Sequence, residues 1–216
     1  MTDFAFKSVK GKREKNEDYY GNVDEEFFLV ADGLGGHPKG EVASKLAVEA
    51  ALDFYKSSDI KDVSKRAKEA FKKANERIKK NKKRKLSDWL GMGTTLVGVI
   101  LRQKRAIFVN VGDSRGFIFR DGKLTAATKV DRTIYGRLNR ALGIRKKVRV
   151  HIDEYELKQK DMILLCSDGL TDFVSGEEIE EVLKTKGKLD KKAEELIALA
   201  MDNDSNDNVT VCLVKN

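Results

Sequence analysis

Four apolar segments of the chain stop or start abruptly at an aspartate, and this pattern constrains the fold more than any other feature of the sequence. The four aspartates are Asp32, Asp113, Asp168 and Asp207. Short apolar runs with sharp polar boundaries are typical of buried strands. Carboxylates that meet at one edge of a buried sheet repel one another unless cations neutralise them.

Each aspartate taken alone has an ordinary interpretation, because aspartate is favoured in turns and caps. Four of them at strand ends weaken that interpretation considerably. Asp32 and Asp168 are each followed by a glycine, which leaves backbone carbonyl oxygens open to a ligand. Hard oxygen ligands without converging histidine or cysteine favour Mg²⁺ or Mn²⁺ over zinc. The pattern therefore predicts a divalent-cation site.

The order of the elements favours the α+β class. Helices are predicted over 41–55, 62–83, 176–184 and 190–201. Strands are predicted over 4–10, 26–31, 93–102, 105–111, 116–120, 148–157, 161–166 and 208–214, with a short return at 123–124, a polar loop over 11–22 and an irregular stretch over 128–142. Runs of strands interrupted by helix pairs indicate antiparallel sheets with the helices outside. No repeat or linker divides the chain, so we expect one domain over 1–216.

Composition indicates a soluble globular protein. The 216 residues carry a net charge of +8, with 36% charged and 40% hydrophobic residues. No apolar run approaches the length of a membrane span, and the N-terminus has no signal-peptide pattern, so we expect a cytoplasmic protein. Cys166 and Cys212 lie in strand-like runs without CxxC spacing. They are predicted to be small buried hydrophobes rather than parts of a disulfide or a zinc site.

The positive charge is concentrated in one segment, residues 56–85, which holds 14 basic and 4 acidic residues. The simplest interpretation is a solvated helix face. Binding of nucleic acid is disfavoured because Phe71 is the segment's sole aromatic residue and no binding motif accompanies the charge.

Seven short motifs occur in an order that resembles the metal-dependent PPM family, the type 2C protein serine/threonine phosphatases, in their bacterial form. They span residues 13–210, nearly the whole chain, and their joint occurrence is far more specific than any one of them. The motifs are Arg13-x-x-Asn16-Glu17-Asp18, Asp32-Gly33-Leu34-Gly35-Gly36-His37, Gly93-Thr94-Thr95, Gly112-Asp113-Ser114-Arg115, Asn139-Arg140-Ala141-Leu142-Gly143, Ser167-Asp168-Gly169-Leu170 and Asp207-Asn208-Val209-Thr210.

The resemblance implies a four-layer α/β/β/α sandwich of two antiparallel sheets flanked by helix pairs. It also implies an enzyme that hydrolyses phosphoserine and phosphothreonine in proteins, with a hydroxide bridging two Mn²⁺ or Mg²⁺ ions as the nucleophile. By motif position, Asp32 would bridge both metals and Asp168 and Asp207 would complete the first site. Gly33, through its carbonyl, and Glu17 would serve the second.

Further roles follow from the same motif positions. Asp18 would support the metal ligands, Asp113 would join Asp168 at a third, weaker metal site, and Arg13 would bind the phosphate, whose geometry its planar fork matches. His37 would protonate the leaving oxygen, since a histidine pKa suits a general acid; a purely structural role in the glycine turn is the equal alternative. His151 lies outside the motifs and is predicted to be structural or exposed.

The segment 128–142 differs from the family pattern. Bacterial relatives usually carry a longer flap here, commonly starting with Asp-His-Ser, whereas this chain has Asp131-Arg132-Thr133. The shorter segment puts substrate specificity in question rather than the chemistry. The expected partners are phosphoprotein substrates and an opposing protein kinase in signalling, and the expected state is a monomer. A catalytically silent phosphoprotein-binding module is disfavoured because all four core carboxylates are present.

Overall fold

The computed structural model describes residues 2–34, 39–82, 92–135 and 138–215. Ten strands and five helices are formed in this part of the chain. The strands are β1 (Asp3–Val9), β2 (Asp18–Val23), β3 (Phe27–Asp32), β4 (Leu96–Arg102), β5 (Arg105–Val111), β6 (Arg115–Arg120), β7 (Lys123–Ala126), β8 (His151–Glu156), β9 (Met162–Cys166) and β10 (Val209–Lys215). The helices are α1 (Gly40–Ser57), α2 (Val63–Lys82), α3 (Asp168–Thr171), α4 (Gly176–Lys184) and α5 (Leu189–Asp202).

The strands form two five-stranded sheets. One has the order β1-β10-β9-β6-β7 and the other β2-β3-β4-β5-β8, and every neighbouring pair is antiparallel. The first sheet combines strands from both ends of the chain, because β10 pairs with β1.

Three hydrophobic clusters correspond to the three interfaces of a four-layer sandwich. Phe27, Leu29 and Ala31 of β3 pack with α1 and α2, while Phe28 and Val30 of the same strand face the other sheet. The opposite face of that other sheet packs on α4 and α5. A strand buried on both faces needs apolar residues at successive positions rather than alternation. This explains the unbroken run in β3 and confirms the predicted α+β sandwich.

Most element boundaries agree with the predictions within a few residues, but two elements were missed. The polar loop expected over 11–22 is wrong in its second half, because Asp18–Val23 is strand β2. The four-residue helix α3, Asp168–Thr171, follows β9 directly. Two predicted strands begin too early: β4 starts at Leu96 and β8 at His151.

The cysteines are buried as predicted, and the described part of the basic segment lies mostly in α2. Cys166 and Cys212 are buried and free. Along the exposed face of α2, Lys72 pairs with Glu69 and Lys73 with Glu76, as on a solvated helix face. Residues 83–85 of the basic segment lie outside the described residues. Among the helices that the structure describes, none combines the length and apolar composition needed to cross a bilayer.

Candidate active site

The fold brings the acidic strand ends to one edge of the sandwich. Asp18 starts β2 and lies directly opposite Asp32, the last residue of β3, in the antiparallel register. Asp168 begins α3 just after β9, and Asp207 lies just before β10, the neighbour of β9. The charges of Asp18, Asp168, Asp113 and Asp207 all act on Asp32. The predicted convergence of carboxylates therefore takes place, and Asp18 belongs to it.

Burial and mutual repulsion make these carboxyl groups hard to ionise. Burial, reinforced by the charges of Asp18 and Asp168, raises the pKa of Asp32 well above its ordinary value. Burial raises the pKa of Asp18 to about 7, although hydrogen bonds from two hydroxyl groups oppose the shift. The pKa of Asp168 is raised to about 6, first by burial and then by Asp113. A cation placed among them would reverse these shifts.

One carboxylate oxygen of Asp18 accepts hydrogen bonds, and the other has no hydrogen-bond partner. Its Oδ2 accepts hydrogen bonds from Ser167 Oγ at 2.8 Å and Thr210 Oγ1 at 2.6 Å. Its Oδ1 is buried and has no hydrogen-bond partner. An unsatisfied buried carboxylate oxygen carries a large desolvation cost. Because a cation or its bound water removes that cost, the donor set fits a hard divalent ion.

Gly33 and Glu17 meet in a turn that has no room for a side chain. The Gly33 N–H donates to the Glu17 carbonyl at 3.1 Å. A Cβ on Gly33 would lie 2.5 Å from the Gly40 carbonyl, and a Cβ on Gly40 would lie 2.6 Å from Glu17 Oε1. The two glycines therefore let the Glu17 carboxylate lie against the end of β3. Burial, and then Glu41, raises the pKa of Glu17.

Two arginines pair with the outer carboxylates. Arg13 Nη2 lies 2.8 Å from Asp207 Oδ2, and Arg13 Nε donates to the Asn206 carbonyl at 3.2 Å. Arg132 contacts Asp113 and Asp168. Within the described ranges, no three acidic, histidine or cysteine side chains already stand in coordinating geometry.

Asn208 has a positioning role that sequence reasoning did not assign. Its Oδ1 accepts the Glu17 N–H at 2.8 Å, and its Nδ2 donates to the carbonyls of Lys10 at 2.9 Å and Lys15 at 2.8 Å. One amide thus ties down the loop that carries Arg13 and Glu17. The sequence signal that could have identified Asn208 is its place directly after Asp207 in the last motif.

The two histidines have different outcomes. His37 lies outside the described residues, so its choice between general acid and turn residue stays open. His151 Nε2 lies 3.1 Å from Asp131 Oδ1 and 2.9 Å from Arg140 Nη1. Arg140 also contacts Asp131. His151 therefore connects β8 to the 128–142 segment, in keeping with the expected structural role.

The comparisons with known proteins agree with this architecture. The family model described as "Protein phosphatase 2C" matches residues 8–207. The serine/threonine phosphatase stp of Listeria monocytogenes is 35% identical, with 97% of this chain and 94% of that protein covered.

Solved structures show the same likeness. The Mycobacterium tuberculosis serine/threonine phosphatase PstP/Ppp has a TM-score of 0.90 at 33% identity, covering 99% of this chain and 98% of that one. The PstP catalytic domain described in complex with two manganese ions has a TM-score of 0.88 at 34% identity, covering 99% and 97%. Sequence and structure together show that the chain belongs to the protein phosphatase 2C family and is a protein serine/threonine phosphatase.

Proposed function

We propose that the chain removes phosphate from phosphoserine and phosphothreonine in proteins by means of two divalent cations, Mn²⁺ or Mg²⁺. The cations would bind at the acidic edge, the edge of the sandwich that carries Asp18, Asp32, Asp168 and Asp207. Asp32 would contact both ions. Asp168 and Asp207 would hold the first, and Glu17 with the Gly33 carbonyl would hold the second. The observation that supports this most is the group of Asp18, Asp32 and Asp168, whose pKa values are all raised by burial and mutual charge.

The ion pairs of Arg13 and Arg132 reach Asp207, Asp113 and Asp168, whereas the charges that act most on Asp32 are those of further carboxylates. A structural cluster would be expected to contain its own counter-charge. The manganese-bound relative supports cations as that counter-charge.

When bound, the two cations would neutralise the phosphate dianion and lower the pKa of a water molecule that attacks phosphorus. The chain's own residues do the remaining work. Arg13 is half-exposed beside Asp207, so its planar fork can bind two phosphate oxygens. Asn208 holds the backbone on both sides of that arginine. Asp18 would help to position the residues that hold the cations, through its hydrogen bonds with Ser167 and Thr210. Of the two roles of His37, we propose that of proton donor to the leaving oxygen.

The biological setting belongs to the same proposal. A phosphatase of this type acts on phosphoproteins, and we infer that this chain is a cytoplasmic monomer that opposes a protein kinase in signalling.

The test is release of inorganic phosphate from three peptides that differ solely in carrying phosphoserine, phosphothreonine or phosphotyrosine. We expect turnover of the first two, loss of turnover in EDTA, and recovery with excess Mn²⁺ or Mg²⁺. The phosphotyrosine peptide is the matched control for general phosphomonoesterase activity. Full activity in the metal-stripped protein would contradict the mechanism, and equal turnover of all three peptides would contradict the substrate class.

A further inference from the structure

Arg132 is the residue whose contacts the proposed function does not use. Its Nε lies 2.8 Å from Asp113 Oδ2, its Nη2 lies 2.6 Å from Asp168 Oδ2, and its Nη1 donates to Asp172 Oδ1 at 3.0 Å. The side chain is 21% exposed. One guanidinium group therefore pairs with three carboxylates through three different nitrogens.

These carboxylates come from separate parts of the fold. Asp113 lies in the turn between β5 and β6, Asp168 begins α3, and Asp172 is the C-cap of that helix. A planar guanidinium can satisfy several carboxylates at once and stays charged at every physiological pH. Burial works against this charge, but hydrogen bonds with Asp113 and Asp172 outweigh it, so the pKa of Arg132 lies above its ordinary value.

The backbone that presents Arg132 is pinned to the end of β5. The N–H of Asp131 donates to the Gly112 carbonyl at 2.9 Å, and the Gly112 N–H donates to Asp131 Oδ2 at 3.2 Å. Asn110 donates to the Lys129 carbonyl at 2.7 Å. The guanidinium is thus presented from a backbone segment that is held to the end of β5.

The position of the charge has a consequence for cation binding. A divalent ion shared by Asp113 and Asp168 would need the oxygens that now accept from Arg132 Nε and Nη2. The ion and the guanidinium cannot both occupy that place, because two cations in contact repel and the acceptor oxygens are shared.

We propose that Arg132 is a built-in cation between Asp113, Asp168 and Asp172, and that it competes with a third divalent ion for this place. The inference rests on the proposed function in one respect, namely that Asp168 also serves the two-cation site. The enzyme accordingly works with two metal ions and one guanidinium group. A third ion binds solely where it displaces Arg132.

The test is calorimetric titration of Mn²⁺ into the full metal-stripped chain and into Arg132→Met, which removes the charge and keeps most of the volume. We expect one additional Mn²⁺ in the variant relative to wild type, or the same weak ion bound at least about tenfold more tightly, because the competing charge is gone. Arg105→Met is the matched control, since Arg105 forms a 2.8 Å pair with Glu154 on the exposed end of β5; its isotherm should match wild type.

Two further variants locate the additional ion and guard against misfolding. Combining Arg132→Met with Asp113→Asn should abolish the gained ion while leaving the other ions bound. Arg132→Lys keeps the charge but cannot span three carboxylates, so its affinity for the additional ion should lie between those of wild type and Arg132→Met.

Each outcome decides the matter. Identical isotherms for wild type, Arg132→Met and Arg132→Lys would overturn the inference, as would weaker Mn²⁺ binding in the arginine variants. Because the additional ion is counted as a difference from wild type, the result does not depend on wild type binding two ions. Absence of the two tight sites in wild type would instead contradict the proposed function.

Discussion

The two ends of strand β9 carry aspartates with opposite electrostatics. Asp161 precedes the strand and is 2% exposed; it accepts from Arg120 Nε at 2.9 Å, Arg120 Nη2 at 2.6 Å and the Lys158 N–H at 2.8 Å. Burial works against its charge, but the Arg120 and Lys158 hydrogen bonds outweigh it, so the pKa is lowered. Asp168 follows the strand, and its pKa is raised to about 6 by burial and by Asp113.

The difference separates a structural carboxylate from one that we propose to be functional. At the Asp161 end, the chain supplies a bidentate arginine and a backbone donor, so nothing further is needed. At the Asp168 end, one arginine, Arg132, is shared among Asp113, Asp168 and Asp172, and Asp18 keeps a buried oxygen without a partner. Strain of this kind is tolerated where a ligand relieves it. Burial of an aspartate therefore indicates a site here where the carboxylates outnumber the cations that the chain supplies.

The sharpest way to break this comparison is to neutralise one aspartate of the carboxylate cluster around Asp168 and, separately, Asp161. Asp32→Asn should reduce kcat by about 10³-fold or more, because it removes the carboxylate proposed to contact both cations, and should weaken Mn²⁺ binding. Asp161→Asn is the matched control and should lower stability while leaving the turnover of folded molecules near wild type. Phosphate release and calorimetry measure both; equal losses of turnover would erase the distinction between the two ends.

The Asp161 end of β9 is tested by Arg120→Met, which leaves Asp161 buried and without its charged partner. We expect a loss of about 3 kcal/mol in the free energy of unfolding, since removing one member of a buried pair strands the other. Arg105→Met removes an exposed pair and should cost less than about 1 kcal/mol. Urea denaturation measures both, and a similar small cost for the two variants would show that the Asp161 pair contributes no more than a surface pair.

Asp18 and Asp168 should make the metal-free protein less stable as the pH rises. Asp18 and Asp168 have folded pKa values of about 7 and about 6, above the unfolded value near 3.9. Between these values the folded state binds more protons than the unfolded state, so stability falls as pH rises.

We expect the free energy of unfolding in EDTA to be on the order of 2 kcal/mol lower at pH 8 than at pH 5, and saturating Mn²⁺ to remove most of that slope. Asp18→Asn should also reduce the change in the free energy of unfolding with pH. Urea midpoints across the pH range measure this, and stability that rises steadily with pH in EDTA would contradict the assigned directions.

Arg13 tests whether phosphate binding is separate from cation binding. Arg13→Ala should raise KM by about tenfold and at least as clearly as it lowers kcat, with Mn²⁺ affinity nearly unchanged, because its charge acts on the substrate. Lys12→Ala is the neighbouring control, as Lys12 pairs with exposed Asp204 at 2.8 Å. Loss of Mn²⁺ binding in Arg13→Ala as large as in Asp32→Asn would refute this separation.

The smallest expected effect concerns the basic helix α2. If its charge steers acidic substrates, kcat/KM for an acidic phosphopeptide should fall severalfold between low and high salt, while a small aryl phosphate changes little. The two substrates share the chemical site, so a difference reports steering alone. Equal salt dependence would leave α2 as a solvated face.

The weakest sequence predictions concerned segments whose structure depends on partners. The β2 sequence, Asp18 to Val23, contains a glycine and polar residues and lies at a sheet edge. It has too little apolar alternation to be recognised, and pairing with β3 defines it as a strand. Helix α3 has four residues, too few for a periodic signal.

The sequence by itself determined the fold class and the acidic edge, because apolar runs that end at aspartates encode both a buried strand and the place where it meets solvent. It also determined Asp32, Asp168 and Asp207 as candidates, since each adjoins such a run. The tertiary structure alone decided that Asp18 lies opposite Asp32, that Asn208 ties down the loop of Arg13, and that Arg132 pairs with Asp113 and Asp168. Those contacts join residues between 14 and 198 positions apart, and long-range pairing leaves no local pattern in the sequence from which it could be read.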